Sequence, residues 1–205
     1  MGDAGLLSPR PAVTGVILAG GLGRRMDGVD KGLQRLRGLP LALHVAARLG
    51  PQVDALLINA NRNADDYAAL GHRVIADALT GFPGPLAGLH AALGSAGTPL
   101  VVTAPCDSPF LPEDLVARLL AALQASGRGA AVAVAAGKMQ PVFCLCRCTQ
   151  LADLTAYLAA GGRRMGEWLD RIGAARADFG AATDAFANIN THAELDRLRG
   201  GAGGD

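Results

Sequence analysis

The residues best suited to chemistry lie in one glycine-rich stretch, LAGGLGRRMDGVDKG, at positions 18–32. Gly20, Gly21 and Gly23 let a backbone turn tightly and approach a phosphate closely, so that successive N–H groups can form an anion-binding nest. Arg24, Arg25 and Lys31 add positive charge. Arginine suits bidentate contact with phosphate oxygens, whereas lysine supplies a movable point charge. Lys31 draws notice because only two of the nineteen basic residues are lysines, the other being Lys138. Two common phosphate-binding patterns do not fit. The dinucleotide fingerprint G-x-G-x-x-G is met by Gly21 and Gly23 but has Met26 at its third position. The Walker pattern needs Ser or Thr after its lysine, and Lys31 is followed by Gly32.

A second set of polar residues is scattered along the chain. Asp107, in APCDSPFLP at 104–112, follows a strand-like run. A carboxylate there suits either a Mg²⁺ ion or a turn before Ser-Pro, and residue chemistry leaves both open. Asn59 and Asp77 end two further strand-like runs. Each is an ordinary turn residue, yet an aspartate also matches the N1–H and amino donors of guanine, or ribose hydroxyls. Gly84 and Gly88 permit close approach of a ligand, or simply accompany the start of a helix. Asn188 and Asn190, at i and i+2, share one face of an extended segment, and Asn190 equally suits the cap of a last helix. Arg163 and Arg164 fit an anion contact or a solvated turn, and His90 reads as a packed core histidine. The sequence contains no Ser–His–Asp type arrangement. Cys144, Cys146 and Cys148 would share one strand face about 7 Å apart, too far for one zinc. With Cys106 they read as reduced structural thiols.

These residues need a frame, and the apolar pattern supplies one. Strand-like runs at 13–19, 53–59, 73–76, 100–104, 130–136, 140–147 and 174–179 alternate with helix-like runs at 40–49, 64–70, 85–93, 112–125, 149–160, 163–172 and 191–199. Pro40 and Pro112 each occupy a predicted first helical position, the latter with Glu113 and Asp114 in the first turn. Such alternation predicts an α/β domain with a mostly parallel sheet and right-handed crossovers. Ligands of such sheets gather beyond the carboxyl ends of the strands. Residues 12–199 read as one domain between tails at 1–11 and 200–205.

Composition bounds the rest. Half of the 205 residues are hydrophobic and 18% are charged, which excludes a disordered chain. Mean hydropathy is +0.26, raised largely by alanine, and no run nears the ~18 apolar residues of a membrane span. A net charge of +1 and eight aromatic residues offer neither a basic footprint nor a stacking platform for nucleic acid. The opening residues lack a basic region followed by an apolar one. The sequence therefore predicts a cytoplasmic protein that binds neither membrane nor nucleic acid.

The glycine loop resembles the signature loop of nucleotidyltransferases related to sugar-nucleotide pyrophosphorylases. Among these it is most similar to the molybdenum cofactor guanylyltransferases. The likeness runs from about 14 to 199 and includes INANR at 58–62, GPLAGL at 84–89, APCDSPFLP, QP at 140–141, YLAAGGRRMGEWL at 157–169 and FANINTHAEL at 186–195. One departure is His192, where that family more often has proline.

The resemblance implies a single-domain, three-layer Rossmann-like fold of the nucleotide-diphospho-sugar transferase type. It implies transfer of GMP from GTP to Mo-molybdopterin, with release of pyrophosphate. Arg25, Lys31 and Asp107 would be catalytic, with Mg²⁺ on Asp107. Leu18, Ala19, Gly20, Gly21, Gly23, Arg24, Lys31, Asn59, Asp77, Gly84, Gly88 and Asp107 would bind the nucleotide. Asn188 and Asn190 would face the acceptor, with Lys138, Arg163 and Arg164 as further candidates there. Transient contacts with cofactor-biosynthesis proteins, and with acceptor molybdoenzymes or their chaperones, are implied too. A cytidylyltransferase of the same fold, a sugar-nucleotide pyrophosphorylase and a non-catalytic GTP-binding regulator are the competing expectations.

Overall fold

Six consecutive buried residues, VTGVIL, make an inner strand of the sheet. An unbroken apolar run of this kind marks a parallel strand covered on both faces. The computed structural model describes residues 10–19, 30–79, 84–189 and 194. Within them the chain runs β1 (Val13–Leu18), β2 (Arg35–Leu36), β3 (Leu39–Pro40), α1 (Leu41–Leu49), β4 (Ala55–Asn59) and α2 (Ala64–Ala68). It continues through β5 (Arg73–Ile75), α3 (Pro85–Ser95), β6 (Leu100–Pro105), α4 (Leu115–Ser126) and β7 (Ala130–Ala135). Beyond these come β8 (Lys138–Arg147), α5 (Leu151–Ala159), α6 (Met165–Arg171) and β9 (Ala175–Asp178).

The main sheet has the order β5-β4-β1-β6-β8-β7-β9. Strands β5, β4, β1 and β6 pair in parallel. β8 alone runs the other way, antiparallel to both β6 and β7, while β9 is parallel to β7. Helices α1 and α4, with Tyr67 of α2, pack on one face of the sheet. Helices α3, α5 and α6 pack on the other. The result is the three-layer, mostly parallel α/β arrangement. Among the described residues no helix is long and apolar enough to cross a membrane.

Several local expectations shift. Pro40 ends β3 with extended backbone (ψ 143°) and caps α1 instead of opening it. It is drawn there by a short hairpin, β2 to β3, turning through Arg37 and Gly38 at φ 50° and 84°. Two-residue strands carry no periodicity, so the sequence shows no sign of that hairpin. Pro112 likewise precedes its helix. The Leu115 N–H bonds Pro112 O at 3.3 Å in a turn, which puts Glu113 and Asp114 before α4. Asp114 pairs with Arg118 at 2.9 Å instead of capping backbone. Cys148 leaves the strand at a 3₁₀ turn, because its N–H is taken by Pro99 O at 3.0 Å. Only Cys144 and Cys146 share the buried strand face, and their side chains lean together so that the sulfurs stand 3.7 Å apart, not the expected distance of about 7 Å. Among the described residues, no three His, Cys, Asp or Glu side chains gather to hold a metal.

Two packing details carry testable consequences. Gly88 of α3 lies so close to the sheet that an added Cβ would stand 2.3 Å from Asn59 Oδ1 and 2.8 Å from Leu18 Cδ2. Gly88→Ala is expected to lower the urea midpoint at unchanged slope, by roughly 1–3 kcal/mol of overpacking; an unchanged midpoint would show that α3 can retreat. On the same face, Asp153 accepts from Arg171 at 2.6 Å and from the buried Trp168 indole N–H at 2.9 Å. Arg171 first, and Trp168 second, hold its carboxyl below the usual range. This stabilisation is present above the unfolded carboxyl value of about 4 and is lost as pH falls through the lowered folded value. Asp153→Asn should therefore be less stable than the parent at pH 7, with the gap closing below about pH 4. A gap independent of pH would contradict the assignment.

Candidate functional site

Strand register lines up four chain ends along one edge of the sheet. Leu18 faces Asn59 on one side and Pro105 on the other, and Asn59 faces Ile75. The ladder continues one residue further. The N–H of Ala19 donates to Asn59 O at 2.8 Å, that of Ala60 to Ile75 O at 2.9 Å, and that of Cys106 to Leu18 O at 3.1 Å. From β1 the chain turns to β4 and β5 on one side, then returns as β6 on the other. Such a reversal opens a crevice at the carboxyl ends of the strands. The buried polar or charged residues among the described ones are Thr14, Asn59, Thr103, Asp107 and Ser108. Three of them, Asn59, Asp107 and Ser108, sit at this edge, where burial of polar groups needs a reason.

One end of the crevice carries charge. The Lys31 ammonium lies 3.2 Å from Asp107 Oδ2, with the two side chains 22% and 10% exposed. Lys31 opens a 3₁₀ turn (Lys31–Leu33) capped by Asp30, whose Oδ1 accepts the Gly32 N–H at 3.2 Å. Asp107 follows β6 by two residues, and its carbonyl accepts the Ile189 N–H at 2.8 Å. Next to it, the Ser108 hydroxyl donates to Asn188 Oδ1 at 2.6 Å. The late FANI segment is thereby brought against Asp107, so Lys31, Asp107 and Asn188 come together from three distant parts of the chain.

The other end is built on Asp77. Its Oδ1 accepts from Asn59 Nδ2 at 3.0 Å and its Oδ2 from Asn61 Nδ2 at 2.7 Å. Its own N–H returns a bond to Asn61 Oδ1 at 2.8 Å. The carboxylate is thus held at both oxygens, with lone pairs left for a ligand. Asn59 reaches this position because Gly88 has no Cβ to block it. Gly84, before α3, has φ 126° and ψ 178°, a conformation open essentially to glycine alone. Both glycines therefore have a backbone or packing role at this edge.

The remaining sequence candidates make other contacts. Lys138 is exposed at the start of β8; because β8 runs against its neighbours, Lys138 stands opposite Ala135 at the end of β7, on the carboxyl edge of the sheet. Arg163 donates to Leu158 O at 3.1 Å, and Arg164 pairs with Glu167 at 2.7 Å. His90 packs toward α5, its Nε2 2.9 Å from the Thr155 hydroxyl, and burial lowers its pKa against the pull of Asp77. Gly20, Gly21, Gly23, Arg24, Arg25 and Asn190 lie outside the described residues. Sequence reasoning missed Asn61, Asp30, Asn63 and Tyr67. The alternating asparagines of INANRN were a usable signal, since i and i+2 residues in an extended segment point the same way.

A family model described as MobA-like NTP transferase domain matches residues 15–174. A protein of Burkholderia ambifaria (strain MC40-6) named molybdenum cofactor guanylyltransferase is 52% identical over 200 residues, covering 93% of this chain and 97% of the relative. One of the same name from Cupriavidus taiwanensis is 51% identical over 195 residues, covering 93% and 96%. The fold is similar to the crystal structure of molybdopterin-guanine dinucleotide biosynthesis protein A from Archaeoglobus fulgidus, with a TM-score of 0.73 at 23% identity, over 91% of this chain and 96% of that one. It is also similar to 4-diphosphocytidyl-2C-methyl-D-erythritol synthase from Anaerococcus prevotii, at TM-score 0.69, 12% identity, and 92% and 95% coverage. The shared frame is the nucleotide-diphospho-sugar transferase fold. With a family model over most of its length and relatives this similar end to end, the chain belongs to the MobA-like NTP transferase family.

Proposed function

We infer that this protein is a nucleotidyltransferase that moves GMP from GTP to Mo-molybdopterin, forming molybdopterin guanine dinucleotide and releasing pyrophosphate. The observation that carries the reading is the alignment of Lys31–Asp107 with Asn59–Asp77 along one sheet edge. This edge is found in a chain 52% identical to a relative named molybdenum cofactor guanylyltransferase. One end of the crevice then takes the triphosphate and the other takes the guanine.

The acceptor phosphate is already an anionic nucleophile, so no side chain has to deprotonate it. An acceptor oxygen bonds to the α-phosphorus, the bond to the β-phosphate oxygen breaks, and pyrophosphate leaves with the electron pair. What the chain supplies is positioning and charge. Lys31, together with Arg24, Arg25 and the amides of Gly20, Gly21 and Gly23, holds the triphosphate and offsets charge on the leaving pyrophosphate. Leu18 ends β1, and Ala19 follows it into that loop. Asp77, steadied by Asn59 and Asn61, accepts from the N1–H and amino group of guanine. Asn188 and Asn190 face the acceptor, and the product passes to molybdoenzymes or their chaperones in the cytoplasm.

The donor chemistry at Asp107 fits Mg²⁺. The nearly buried Asp107 carboxylate, next to the Ser108 hydroxyl that holds Asn188, offers hard oxygen ligands, and Mg²⁺ commonly takes one or two carboxylates with substrate phosphates and waters. Bound there, Mg²⁺ would polarise the α-phosphate and neutralise part of its charge. Lys31, now paired with Asp107, would turn to the phosphates.

Pyrophosphate release with GTP, Mg²⁺ and Mo-molybdopterin tests this reading. Asp107→Ala and Lys31→Ala are each expected to lower turnover by roughly 100-fold or more, the scale of losing one fixed charge partner of the transition state. Turnover unchanged in Asp107→Ala, or GTP affinity and rate both unchanged in Lys31→Ala, would overturn the assigned roles.

A further inference from the structure

The turn that carries Lys31 is braced from behind by a partly buried network that the reaction itself does not use. Tyr67 lies on α2, in the otherwise largely exposed stretch NADDYAAL, yet it is completely buried. Its hydroxyl donates to Asp30 Oδ1 at 2.5 Å. Asn63, at left-handed φ 52°, donates from Nδ2 to Asp30 Oδ2 at 2.9 Å. With the Gly32 N–H, three donors from two segments converge on one carboxylate. Burial first, and nearby Cys106 and Asp30 next, push the Tyr67 phenol well above its ordinary pKa, so it stays a donor.

Steric evidence points the same way. A Cβ on Gly32 would lie 2.3 Å from the Tyr67 hydroxyl and 3.2 Å from Cys106 Sγ. The turn is therefore wedged between Tyr67 and the residue immediately before Asp107. From this wedge Lys31 reaches Asp107. The segment that supplies Asn63 and Tyr67 is also the one that sends Asn59 and Asn61 to Asp77. One stretch, 59–67, thus braces both ends of the crevice.

We propose that Tyr67 and Asn63 are positioning residues for nucleotidyl transfer, acting through Asp30 to fix the turn from which Lys31 meets the triphosphate. This rests on the assignment of Lys31 to the triphosphate. Tyr67→Phe keeps the buried ring and removes only the hydroxyl. GTP dissociation constants and kcat, measured in a double-mutant cycle with Lys31→Ala, separate positioning from structural support.

Tyr67→Phe is expected to weaken GTP binding about tenfold in the parent and less than twofold in Lys31→Ala, a coupling within the range of residues that share partners. Equal losses in both backgrounds, or a lowered melting temperature with unchanged GTP affinity and kcat, would overturn it. Should Tyr67→Phe fail to fold, Asn63→Ala removes the second bond from an exposed position, and the same cycle then supports or overturns the proposal on the same outcomes. If Lys31→Ala leaves GTP affinity and turnover intact, the assignment of Lys31 itself falls, and this proposal with it. If Lys31→Ala is impaired while Tyr67→Phe and Asn63→Ala match the parent, only the proposal falls.

Discussion

A lysine and an aspartate held 3.2 Å apart in a crevice, neither more than a quarter exposed, can persist only if the fold offsets the loss of water around both charges. Breaking such a pair leaves an uncompensated charge, and the pair itself often adds little stability. Its presence at a sheet edge is therefore better explained by what it does than by what it holds together. Lys31 supplies a cation and Asp107 an anion, from positions 76 residues apart in sequence. Everything around them fixes where those two charges stand.

The surrounding structure forms two braces on one frame. Parallel register sets Leu18, Asn59, Ile75 and Pro105 in a row, so residues just beyond them share the crevice. Asp30, Asn63 and Tyr67 brace the cationic end, while Asn59 and Asn61 brace Asp77 at the other. Glycines appear where side chains would collide with these braces, at Gly32 against Tyr67 and at Gly88 against Asn59. Fixed donors and charges of this kind need little rearrangement during reaction, which is how a phosphate-transfer site gains rate without a covalent intermediate.

Much of the frame was legible in the sequence, because buried parallel strands write themselves as apolar runs. VTGVIL and LVVTAP appear close to their true bounds. Asn59, Asp77 and Asp107 were legible because charged or amide residues at or just beyond the ends of such runs fall at the ligand-binding edge, and Lys31 because it is a rare lysine in a glycine-rich stretch. What escaped was tertiary in origin. Tyr67 sits among Asn, Asp and Ala, and nothing local indicates that its ring is completely buried or that its hydroxyl caps a carboxylate 37 residues away. The β2–β3 hairpin escaped because two-residue strands have no period. Pro40 and Pro112 suggested first helical positions, but a hairpin and a turn claimed them. The reversed direction of β8 lets Lys138 stand at the strand's start, in register with Ala135 at the end of β7.

The central claim is that this edge binds a guanine nucleotide, with the base at Asp77 and the phosphates at Lys31. Calorimetric titration of the protein with GTP, CTP and ATP, each with and without Mg²⁺, tests it most directly. The account predicts that GTP binds more tightly than CTP or ATP, because only guanine presents paired N–H donors to a carboxylate held by Asn59 and Asn61. Preference for CTP would contradict the base assignment while leaving the phosphate end intact, and absence of binding by all three would contradict the account as a whole.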